Sequence, residues 1–122
     1  MILADTSIWI DHFRKGDAAL TRLLDQGEIW IHPFIVGEIA LGSLQPRAAI
    51  LRALRQLPAI AAAHPNEVLL FIERHRLFGA GIGYTDAHLL AAVALTPGTL
   101  LWTRDKRLQA AAARLSCMAS LP

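Results

Sequence analysis

Short, wholly apolar runs alternate along this chain with longer stretches in which apolar residues recur every three or four positions. Ile2-Leu3-Ala4, Ile29-Trp30-Ile31 and Thr99 to Thr103 read as buried strands, Ala59-Ile60-Ala61 as a short strand between them, and the residues near Cys117-Met118-Ala119 as an edge strand. Helices are predicted over 7–14, 17–25, 33–43, 46–57, 65–78, Asp86 to Ala94 and 105–115. In the second, Leu20, Leu23 and Leu24 share one face and Gly27 is the stop; Pro33 sits in the first turn of the third, and Pro58 closes the fourth. Thr85 is placed to cap the helix that Asp86 opens. Strands alternating with helices describe one α/β domain, residues 1–122, with a small parallel sheet.

Against this pattern four acids stand out. Asp5 follows the first strand, Asp86 heads an apolar helix, and Asp105 comes three residues after Leu100-Leu101-Trp102. Glu38 lies within Pro33 to Leu41, a segment with no other charge and little expected solvent-facing surface. Open parallel sheets bind ligands beyond the carboxyl ends of their strands, so these carboxylates are expected to converge there. At about 5 Å and an effective dielectric near 20, each like-charged pair costs roughly 3 kcal/mol, which calls for protons or a cation. Mg²⁺ or Mn²⁺ suits an all-oxygen donor set without His or Cys.

Each acid also has a plainer explanation. A carboxylate at a helix start caps exposed N–H groups, which covers Asp5, Asp86 and Asp105 singly, and a buried Glu38 would pair with an arginine. The conjunction of all four favours a metal site. The five histidines are scattered without zinc-ligand spacing, and His88 reads as a satisfied or partner-facing side chain. No Gly-x-Ser-x-Gly elbow is present, and Gly79, Gly81 and Gly83 lack the Lys and Ser/Thr of a phosphate-binding loop. The single Cys117 reads as a buried, inert thiol.

Composition refines the picture. The formal charge is +2, but with four acids neutralised by a metal, twelve basic residues face six remaining acids, a surface of about +6. Such a surface favours a polyanion, and Arg14-Lys15 and Arg104-Lys106-Arg107 flank two of the site acids. A hydrophobic content of 54% and a mean hydropathy of +0.39 predict an exposed apolar patch that a partner covers. No apolar stretch approaches the roughly 20 residues of a membrane span, and no basic leader precedes the first strand, so a cytoplasmic protein is expected.

The segment Met1-Ile2-Leu3-Ala4-Asp5-Thr6-Ser7-Ile8-Trp9-Ile10-Asp11 resembles the amino terminus of PIN-domain ribonucleases, specifically VapC-type toxins of toxin–antitoxin pairs. Gly37-Glu38-Ile39, Tyr84-Thr85-Asp86-Ala87-His88 and Leu101-Trp102-Thr103-Arg104-Asp105 match that family's later acidic positions in order, so the likeness covers essentially the whole chain. It implies a PIN-like three-layer fold with a four- to five-stranded parallel sheet flanked by helices. It further implies a Mg²⁺- or Mn²⁺-dependent endoribonuclease, a homodimer, and inhibition by a cognate VapB-type antitoxin. By the same resemblance Asp5 and Asp86 hold the metal most directly, Glu38 completes the site or binds a second ion, and Asp105 acts directly or through water. Thr6, Ser7 and Thr103 orient carboxylates or waters. Arg14, Lys15, Arg104, Lys106 and Arg107 are then expected to contact RNA phosphates, and Trp9, Phe13, Leu20, Leu23 and Leu24 to form the antitoxin groove.

Rival readings explain less. A phosphorelay receiver requires paired acids after the first strand and a late lysine, and a haloacid-dehalogenase-type phosphatase requires a second aspartate where Ser7 stands. The alternative from another class is a catalytically weak PIN-fold binding module within a promoter-bound toxin–antitoxin repressor complex.

Overall fold

The computed structural model describes residues 1–122. Its sheet is built on β1 (Ile2–Ala4), which runs parallel to β2 (Ile29–Trp30) on one side and β3 (Leu100–Trp102) on the other, in the order β2-β1-β3. Register pairs Ile2 with both Ile29 and Leu100, and Ala4 with Trp102. The two further strands expected from sequence shrink to single parallel bridges, Ile31 with Ala59 and Leu101 with Met118. Both lie at the sheet's edges, where one neighbour only is available to hold a strand straight. Leu3, Ala4, Leu101 and Trp102 are fully buried, as strands covered on both faces must be.

Seven helices surround the sheet: α1 (Thr6–Lys15), α2 (Ala18–Asp25), α3 (Pro33–Ala40), α4 (Arg47–Arg55), α5 (Pro65–Arg74), α6 (Tyr84–Ala94) and α7 (Lys106–Arg114). Several end sooner than the periodicity alone predicts. α3 stops at Ala40 because the Arg47 guanidinium caps it from outside, Nε and Nη2 donating to the Ala40 carbonyl at 3.1 and 2.8 Å. α5 stops at Arg74, since Arg76 enters the left-handed region at φ 51°, and the turned chain buries Leu77. α6 begins two residues before Asp86, with Gly83 rather than Thr85 at its cap.

α6 is the central helix. Ala87 through Val93 are all buried, a continuous run rather than a stripe, because the helix lies between the sheet and α5. No helix is long and apolar enough to cross a membrane. Trp9 and Leu20, expected in an exposed groove, are 2% and 0% exposed and belong to the core. The large exposed apolar side chains are elsewhere: Leu69 and Leu70 on α5, Phe78, Tyr84, Leu95, and Leu41 beyond α3.

Candidate metal centre

Asp5 leaves the carboxyl end of β1 and becomes the cap of α1. Its backbone N–H donates to the Trp102 carbonyl at 2.9 Å, continuing the sheet by one residue. Its Oδ1 accepts from the Ser7 hydroxyl at 2.6 Å and the Ser7 and Ile8 N–H groups at 3.1 and 3.4 Å. Its Oδ2 accepts a short hydrogen bond from the Thr103 hydroxyl at the end of β3. The capping explanation for Asp5 is therefore correct for one oxygen, while the other is held across the sheet by a residue 98 positions away.

The other acids are tied in by different donors. Thr103 Oγ1 accepts from the Asp105 N–H at 3.1 Å, and Asp105 caps α7 through the Leu108 N–H at 2.9 Å. Thr6 Oγ1 donates to Glu38 Oε1 at 2.7 Å, joining α1 to α3. Asp86 Oδ2 accepts from the Gly83 N–H at 3.2 Å. Glu38 is exposed and has no arginine partner, so the buried Glu–Arg pair weighed from sequence does not form. Its charge-free segment misled because Pro33, Phe34, Gly37 and Glu38 share a solvent-facing side that only one charged residue marks.

Burial pushes the Asp86 carboxyl up from its ordinary value, the Gly83 N–H works against this, and the charges of Asp105, Asp5 and Glu38 push it further up. Three acids thus act on Asp86, and none of the four takes part in an ion pair. Arg104, expected to face a phosphate, is committed elsewhere. Its guanidinium binds Asp11 at 2.7 Å and also Asp17, and its Nε donates to the Pro122 carbonyl at 2.9 Å. That pairing holds the Asp17 carboxyl below the usual carboxylate range, a role for Asp11 and Asp17 that local sequence did not reveal because it joins residues about ninety positions apart. Arg14, Lys15, Lys106 and Arg107 are exposed and free of ion pairs.

The donor chemistry fits a hard divalent ion. No three of the acids or histidines stand close enough together to hold an ion between them, so the tight convergence of four carboxylates expected from sequence is not formed; what fits Mg²⁺ or Mn²⁺, which use one or two direct carboxylates and several waters, is the all-oxygen donor type. His88 does not join them. It is buried beside Phe34 and Tyr84, with ring centroids 4.5 Å away, and neither nitrogen has a partner, so it is neither satisfied nor partner-facing as expected.

The PIN domain model matches residues 2–114. The chain is a PIN-domain protein. Within this family it is of the VapC type, being 49% identical over 113 residues to Ribonuclease VapC32 of Mycobacterium tuberculosis, from strain CDC 1551 / Oshkosh and equally from strain ATCC 25618 / H37Rv. The match covers 93% of this chain and 91% of each relative.

Proposed function

We propose that this PIN-domain protein is the toxin of a toxin–antitoxin pair, a Mg²⁺- or Mn²⁺-dependent endoribonuclease that hydrolyses RNA phosphodiester bonds at Asp5, Glu38, Asp86 and Asp105. The observation that carries the reading is that Asp105, Asp5 and Glu38 stand near enough to Asp86 for their charges to act on it, with no protein cation paired to any of the four. The relatives' name, a ribonuclease, supplies the reaction class. A divalent ion bound here supplies Lewis-acid polarisation of the phosphodiester and activation of water at neutral pH.

The chain's own residues prepare for that chemistry. Asp5, fixed through both oxygens, and Asp86, whose proton affinity is raised first by burial and further by the neighbouring acids, would be the direct ligands. Glu38 is aimed by Thr6, and Asp105 shares Thr103 with Asp5. Arg14, Lys15, Lys106 and Arg107 contact phosphates; Arg104 instead braces the turn between α1 and α2. A VapB-type antitoxin seats on the apolar cavity of about 200 Å³ between α1, α2 and α4, where Phe13 and Leu24 form the accessible rim and Trp9 the floor. The protein acts in the cytoplasm as a homodimer.

The test is cleavage of structured cellular RNA by antitoxin-free protein with Mn²⁺, beside EDTA and Asp86→Asn. Loss in both controls is expected, by a factor of a hundred or more for the variant. Mn²⁺ should also raise the thermal midpoint of the wild type and leave Asp86→Asn nearly unmoved. Cleavage that survives Asp86→Asn would sink the site, and no cleavage of any RNA would favour the binding-module reading.

A further inference from the structure

The face of α7 that turns away from the sheet forms the floor of a groove of about 320 Å³ lined by Ala80, Lys106, Arg107, Ala110, Ala111 and Arg114. Three of its six residues are cations, none of them in an ion pair, and no carboxylate lines it. The rest are alanines, whose small side chains let a ligand backbone approach closely. We infer that this groove is a track for the RNA backbone leading away from Asp105, with Arg107 and Arg114 as its phosphate-binding residues.

Three features support that use over a merely solvated basic face. Arg107 is seated: its guanidinium and Cδ lie against Gly81 so closely that a Cβ there would stand 2.7 Å from Nη1 and 2.8 Å from Cδ. Arg114 is anchored as well, its Nη2 donating to the His75 carbonyl at 2.9 Å, which leaves its other N–H groups for a ligand. Both arginines are thus partly ordered before any ligand arrives, which lowers the entropy cost of binding. Finally, the helical rise of about 1.5 Å per residue puts Arg114 roughly 13 Å along the axis from Asp105. The groove therefore extends well beyond the acids, far enough for more than one phosphate of a single strand.

The inference rests on the RNA-cleaving reading for its substrate, but its test does not depend on cleavage. Binding of a short single-stranded RNA to Asp86→Asn protein is measured by fluorescence anisotropy between about 50 and 200 mM salt. Adding Arg107→Gln and Arg114→Gln together should weaken binding roughly tenfold and flatten the salt slope by about 1.4, near 0.7 for each lost contact on a single strand. Arg107→Gln alone, which breaks no hydrogen bond within the protein, should flatten it by about 0.7, and Arg52→Gln on the exposed side of α4 should change neither quantity. Unchanged affinity and slope in both Arg107 variants would overturn the track. So would displacement of the RNA by poly-glutamate at equal charge, which would mark an acidic protein as the occupant. A wild-type protein that cleaves nothing yet shows these shifts would keep the track and remove the nuclease.

Discussion

His32 stands at the junction of β2 and α3 with no solvent exposure, its Nδ1 accepting from the Phe34 N–H at 3.0 Å and its Nε2 without a partner. Burial, aided by the nearby His88, pulls it from 6.5 down to about 4. The unfolded chain therefore takes up a proton near 6.5 that the folded chain refuses until about 4, so stability falls as pH falls through that window. The loss reaches about 3 kcal/mol at its acid end, and His88, lowered by the same cause, adds to it in the same direction. His32→Asn keeps a capping acceptor and cannot titrate. Urea unfolding at both ends of the window should show a markedly smaller acid loss for the variant, and equal losses would remove His32 as the cause. The buried histidine could not be read from sequence, because His before a proline is an ordinary cap whether exposed or not. Asp5-Thr6-Ser7 was legible for the opposite reason, since a carboxylate between a strand and a helix with two hydroxyls behind it leaves few geometries open.

Between elements, the decisive contacts are polar and long-range. Arg104, just beyond β3, clamps Asp11 on α1 and Asp17 at the cap of α2, and Asp17 also accepts from the Leu20 N–H at 3.0 Å. The side chains of Arg104, Asp11 and Asp17 are 29%, 36% and 13% exposed, so solvent screens the Asp11 pair more than the Asp17 pair. Arg104→Ala should cost about 1–2 kcal/mol of unfolding free energy. Asp17→Ala should cost somewhat more, since it also removes a cap worth about 1 kcal/mol, and in the double variant the two losses should fall short of additivity. Fully additive losses would show that the Arg104–Asp17 pair contributes nothing. Helix identities were all recoverable from periodicity. Their ends were not, because Arg47 capping α3 and the left-handed turn at Arg76 are set by tertiary neighbours rather than local pattern.

At the scale of the molecule, part of the apolar surplus gathers on α5 and beyond the end of α6. Leu69, Leu70 and Leu95 are 55%, 70% and 56% exposed, and an apolar cavity of about 180 Å³ runs between Leu70 and Leu95. If this side carries the homodimer, Leu70→Asp should shift sedimentation from dimer to monomer with its unfolding midpoint in dilute solution little changed; an unaltered dimer would place the contact elsewhere. The hydropathy alone signalled that such a surface exists but not which side holds it, and of the five residues expected in the antitoxin groove Trp9 and Leu20 are core. The short hydrogen bond from Thr103 to Asp5 also has a temporal meaning. Asp5 is made about a hundred residues before Thr103, whose hydroxyl fixes it, and before Asp105. At about 5–20 residues per second, several seconds separate the two on the ribosome. Until Asp105 has been made, a nascent chain therefore lacks one of the four acids proposed for cleavage.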